Sequence, residues 1–132
     1  MAKLNKPEFT NYATVTRVVD GDTFDAVCIL PFGIKCQQRF RLHGVDTPET
    51  WRSKTEAELK HGKEATTFVR NLIEHKLVLL KTFKDMAVYG RYEAEVWTVD
   101  EDGNAVDSLA DLLKKNGLLK LSSYVDESNR VN

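Results

Sequence analysis

Between Lys63 and Ile73 the apolar residues Ala65, Phe68, Val69, Leu72 and Ile73 fall at i, i+3, i+4, i+7 and i+8, the spacing of one buried face of an α-helix. On either side the period changes to two. Tyr12 to Val19 is rich in β-branched residues, Thr23 to Leu30 places Phe24, Ala26, Cys28 and Leu30 on one face, and Ile34 to Leu42 does the same with Cys36, Phe40 and Leu42. After the helix, Lys76 to Phe83 and Arg91 to Val99 read as two further strands, and Leu109, Leu112 and Leu113 share a face of a second helix. Three strands, a helix, two strands and a helix is the order of a mainly β chain with α (α+β). It predicts a five-stranded OB-type Greek-key barrel with two to three helices, whose closure removes exposed edges.

Turn chemistry supports these boundaries. Asp20-Gly21-Asp22 turns the chain after the first strand, residues 84–90 join the fourth and fifth strands, and Asp100 to Asn104 forms a further turn. Asp107 is placed to cap the second helix, and Asn116-Gly117 to stop it. Residues 50–62 are polar and weakly patterned, and predict an exposed loop with a short helical turn around Thr55 to Lys60.

The 132 residues suffice for one domain, expected over 12–125, with an N-terminal arm at 1–11 and a polar tail at 126–132. A net charge of −1 excludes the broad basic field of a protein that coats nucleic acid, so any anion binding is local. Cys28 and Cys36 flank a hairpin tip and read as a reduced structural pair with a bias toward burial. There is no apolar run long enough for a bilayer and no leader-like h-region near Met1, so a cytoplasmic chain is the default expectation, or a secreted one if an upstream signal was removed.

Arg39 to Glu49 carries the chemistry. Its alternating start is a strand end, and Pro48 stiffens the turn that follows. Arg41 is permanently charged and its planar fork matches phosphate oxygens, while Asp46 and Glu49 are hard oxygen donors for Ca²⁺ or Mg²⁺.

Asp20-Gly21-Asp22-Thr23, Arg41-Leu42-His43-Gly44-Val45-Asp46-Thr47-Pro48-Glu49 and Tyr89-Gly90-Arg91, in this order and each near a strand end, resemble the staphylococcal nuclease (thermonuclease) family. The likeness extends over residues 12–121. It implies that Asp22 and Asp46 ligate one Ca²⁺ together with the carbonyl of Thr47, that Arg41 and Arg91 grip the scissile phosphate, and that Glu49 lies beside the attacking water. The implied activity is Ca²⁺-dependent hydrolysis of DNA and RNA by a monomer, breaking the bond to the 5′ oxygen and leaving 3′-phosphate ends. Glu49 either orients the water or takes its proton, since a carboxylate is a weak base at neutral pH. Where the family carries Asp-Lys before its tyrosine, Ala87-Val88 stand here; Tyr89 remains as a substrate contact, and Tyr124 is one residue displaced from the family's stacking tyrosine, whose place Ser123 takes.

An alternative from another class is a noncatalytic barrel that binds nucleic acid or a protein partner. Retention of Asp22, Arg41, Asp46, Glu49 and Arg91 together favours catalysis. His43, His61 and His75 have no ligand spacing with one another or with the cysteines, so zinc is not expected. Asp100, Asp102 and Asn104 imitate a calcium loop, but Ala105 stands where the required glycine belongs.

Overall fold

The computed structural model describes residues 9–50, 53–84, 90, 92–122 and 124. In chain order the elements are β1 (Phe9–Asp20), β2 (Thr23–Ile29), a 3₁₀ turn (Pro31–Gly33), β3 (Lys35–Leu42), α1 (Glu56–Ile73), β4 (Leu77–Lys84), β5 (Tyr92–Val99), β6 (Ala105–Ser108) and α2 (Leu109–Lys115). Strand order is β3-β2-β1-β4-β5-β6, and a parallel β3–β5 pairing closes the first five into a barrel. The expected OB-type barrel is the observed one.

β1 makes closure feasible because it serves two partners. Its first half pairs with β4 from Phe9 to Thr14, and its second half pairs with β2 from Tyr12 to Asp20. Register shifts between Val15 and Arg17 and between Val18 and Asp20 bend it, as bulges do. The first shift also changes parity: Ala13 and Val15 are buried at odd positions, and Val18 at an even one. Phe24 and Phe40, opposite one another in β2 and β3, stack with centroids 5.6 Å apart. With Val78, Leu80, Ala94 and Val96 they fill the barrel, which Ala65, Val69 and Ile73 of α1 and Leu109 and Leu113 of α2 close off.

Several boundaries differ from the sequence reading. β1 begins at Phe9, three residues before the expected start, because Phe9 to Asn11 find partners in β4. α1 begins at Glu56, seven residues before the predicted Lys63, so most of the expected loop is helix. Thr55 caps it, accepting from the Glu58 N–H at 3.1 Å, and the Glu58 carboxylate reaches back to the Lys54 N–H at 3.2 Å. Phe68 and Leu72 are only half-buried at the edge of the helical face. Ser108 caps α2 in place of Asp107, which lies in the unanticipated β6. Cys28 and Cys36 are register partners and unbonded, but only Cys28 is buried, since β3 lies exposed near the hairpin tip.

Candidate active site

Asp22, Arg41, Asp46 and Thr47 converge at the barrel rim where β1 turns into β2 and β3 ends. Strand register brings them together. Thr23 pairs with Arg41, and the Leu42 N–H donates to the Asp22 carbonyl at 2.7 Å, joining the Asp20–Thr23 turn to the end of β3. The chain after β3 folds back, so that Nη2 of Arg41 contacts Oδ1 of Asp46 and lies 3.9 Å from Oδ2 of Asp22. That Asp22 oxygen also accepts from the Thr47 N–H at 3.0 Å, while the other accepts from the Thr23 hydroxyl at 3.2 Å. Arg41 thus stands between two carboxylates of different character: the Asp22 side chain is 13% exposed and fixed, and that of Asp46 is 61% exposed and open to solvent.

Glycines allow this loop to pack. A Cβ on Gly21 would lie 2.7 Å from Oγ1 of buried Thr47, and one on Gly62 would lie 2.7 Å from the Glu49 carbonyl and 2.8 Å from that of Pro48. Behind the site the Asp46 carbonyl accepts from the Lys120 N–H at 2.9 Å. Lys120 Nζ in turn lies 3.7 Å from the buried carboxylate of Glu58 in α1. The segment after α2 therefore braces the loop from the rear.

Asp20 belongs to this neighbourhood although the sequence reading gave it only a turn role. Its Oδ1 accepts from the Asp22 N–H at 3.1 Å. Burial, then the hydrogen bond and charge of the Asp22 carboxyl, raise its pKa from 3.8 to about 6. The Asp-x-Asp spacing was the available signal, because alternate residues at a strand end can present two carboxyls to one side.

His43 is a second residue whose surroundings the sequence did not disclose. Its Nδ1 lies 2.7 Å from Oε2 of Glu93, and its ring stacks on Phe83 at 4.3 Å and 20°.

Glu49 is half-buried on the loop that carries Asp46. Arg91 and Tyr89 lie outside the described residues. Tyr124 turns its hydroxyl to Nδ1 of His61 at 2.8 Å and accepts from the Leu121 N–H at 3.0 Å. The other His61 nitrogen lies 2.7 Å from the Gly117 carbonyl, so Tyr124 is clasped to α1.

Known proteins resemble this chain over most of its length. The profile of the family described as "Staphylococcal nuclease homologue" matches residues 39–131, most of the chain. The chain belongs to the staphylococcal nuclease family. It is 37% identical over 111 residues to the thermonuclease of Staphylococcus hyicus, covering 83% of this chain and 59% of that protein. With the thermonuclease of Staphylococcus intermedius it shares 36% over 111 residues, with the same coverage of 83% and 59%. The chain thus spans 59% of the length of the curated relatives it matches. The nuclease-family match starts at Arg39 and spans Arg41, Asp46, Thr47 and Glu49; Asp22 precedes it and is joined to the end of β3 by the Leu42 N–H.

Among the described residues no three His, Cys, Asp or Glu side chains form a metal cage. The donors at this rim are hard oxygens. Burial first, and the hydrogen bond and charge of the Asp22 carboxyl after it, hold the Asp20 pKa up at about 6, and Arg41 is the cation set between Asp22 and Asp46. Such a partly solvated acidic set fits an oxygen-seeking divalent cation that keeps part of its water.

No described helix is long and apolar enough to cross a membrane.

Proposed function

We propose that this domain is a nuclease that acts as a monomer with one Ca²⁺, hydrolysing phosphodiester bonds of DNA and RNA at the 5′ oxygen and leaving 3′-phosphate ends. The observation that carries the proposal is the placement of Arg41 between Asp22 and Asp46 at an open rim. Relatives named thermonucleases support it.

Asp22, Asp46 and the Thr47 carbonyl would hold the cation, which when bound supplies fixed positive charge for a phosphate oxygen. The chain's own residues do the rest. Arg41 offers a planar fork to the phosphate, and its charge becomes more valuable as the transition state gathers charge on the equatorial oxygens. Arg91 is assigned the second guanidinium contact, and Tyr89 and Tyr124 the flanking contacts to substrate. Glu49, on the same loop as Asp46, orients the attacking water or accepts its proton. The Thr47 N–H and the Thr23 hydroxyl hold Asp22 in place, so its orientation is set before substrate arrives.

Substituting Arg41→Lys tests the assignment, because lysine keeps the charge and loses the fork. Cleavage of single-stranded DNA should fall by about 10²-fold or more. Turnover near that of the unsubstituted protein would contradict it.

A further inference from the structure

Arg41 has a carboxylate neighbour that takes no part in the site. In β3 the side chains of Phe40 and Leu42 enter the core, so that of Arg41 lies on the outer face, and His43 follows directly after the strand. The parallel β3–β5 ladder pairs Arg41 with Glu93, and partners in a parallel ladder share a face about 4.8 Å apart. Glu93 therefore stands beside Arg41 on the same face, and the proposed reaction needs the Arg41 guanidinium free. Its side chain is 24% exposed, so its carboxylate is partly desolvated and needs a donor.

His43 supplies that donor. Its Nδ1 lies 2.7 Å from Oε2 of Glu93, and as a neutral Nδ1–H tautomer or as imidazolium it donates there. Two strands hold His43: its ring stacks on Phe83 of β4, Phe83 is itself the register partner of Glu93 in β5, and the His43 backbone N–H donates to the Ala94 carbonyl of β5 at 2.9 Å. The row His43, Glu93, Phe83 crosses the barrel seam next to Arg41.

We propose that His43 is a positioning residue that holds Glu93 away from Arg41, leaving the Arg41 guanidinium available for phosphate. This rests on the phosphate-gripping role given to Arg41 above. Beyond the Asp22 and Asp46 carboxylates that already accompany Arg41, Glu93 is the acid in register with it.

Four variants test it: His43→Leu, which keeps an apolar side chain against Phe83 but removes the donor; His43→Gln, which restores a donor; Glu93→Gln; and His43→Leu with Glu93→Gln. Binding of a fluorescein-labelled single-stranded octanucleotide in chelator, where cleavage is suppressed, is read by anisotropy. The Arg41 Nε–H resonance is read by ¹⁵N NMR without nucleic acid. His43→Leu should weaken binding by about 3- to 5-fold, the scale of a partly exposed ion pair, and displace the Arg41 resonance. His43→Gln and the double variant should bind like the unsubstituted protein, and Glu93→Gln no more weakly. Equal weakening in His43→Leu and in the double variant would overturn the proposal, since the loss would then not pass through Glu93. So would an Arg41 resonance unmoved by His43→Leu. An unsubstituted protein that neither binds nor cleaves nucleic acid would defeat the nuclease reading instead, while the resonance would still report whether Glu93 moves onto Arg41.

Discussion

The backbone N–H of Thr47 donates to the carboxylate of Asp22 across 3.0 Å, although 25 positions separate the two residues. This bond ties the first turn of the barrel to the loop that leaves β3, and makes the acidic rim a property of the fold rather than of either loop alone.

Gly21 is the point at which that tie is most exposed to mutation. A Cβ there would meet Oγ1 of Thr47 at 2.7 Å and its Cβ and Cγ2 at 2.9 Å. Thr47 is buried and cannot swing clear, so Gly21→Ala should destabilise the domain by about 1–3 kcal/mol and weaken the Asp22–Thr47 bond. Urea denaturation measures the first effect, and Ca²⁺ titration calorimetry the second.

Gly62 tests the same loop from the side of α1. An alanine Cβ would approach the carbonyls of Glu49 and Pro48 to 2.7 and 2.8 Å, and these are backbone atoms without a rotamer to change. Gly62→Ala should therefore shift Glu49, lowering kcat more than it raises KM, with a loss of about 1–3 kcal/mol in stability.

The raised pKa of Asp20 predicts a pH window. An acid whose folded pKa, about 6, exceeds its ordinary value of 3.8 favours folding when protonated, and that contribution is lost as pH rises from about 4 through about 6. Complete burial would make the loss about 3 kcal/mol; Asp20 is partly exposed, and about 1 kcal/mol is expected. Asp20→Asn keeps the acceptor for the Asp22 N–H and has no charge to bury. It should match the parent stability at pH 4 and exceed it at pH 8 by about that amount, measured by urea denaturation in chelator.

Glu58 offers a contrast between neutralising and deleting a buried acid. It accepts from the Lys54 N–H at 3.2 Å and lies 3.7 Å from Lys120 Nζ. Glu58→Gln, which keeps an acceptor, should cost less than 1 kcal/mol, and Glu58→Ala about 1–3 kcal/mol as the Lys54 N–H loses its partner. Thermal denaturation of the two variants separates these outcomes.

Much of the fold was legible because its strands obey a simple period. Phe24, Ala26, Cys28, Phe40 and Leu42 could be assigned inward from alternation alone, and all five are buried. What escaped had local causes. The Thr55-x-x-Glu58 spacing is a capping-box pattern that marks the true start of α1, but the polar run after it hides the helical period. The bulges in β1 change its parity, and no residue announces them. Ser108 precedes Leu109 directly and makes the better cap, which frees Ala105 to Ser108 to pair with β5. At the site, Arg41 and Asp46 were nameable from their chemistry at a strand end, and Asp22 and Thr47 only through the resemblance to the nuclease family. The partnerships of His43 with Glu93 and of Asp46 with Lys120 required register, since 50 positions separate the first pair and the second arises from a loop meeting a loop.

The central claim is that this rim hydrolyses phosphodiesters with a bound cation, and the most direct measurement is cleavage of single-stranded DNA by the purified chain in Ca²⁺, in Mg²⁺ and in chelator, with the product ends identified. The account predicts cleavage in Ca²⁺, 3′-phosphate ends, and none in chelator. Cleavage that persists unchanged in chelator, or tight binding without cleavage in Ca²⁺, would contradict it.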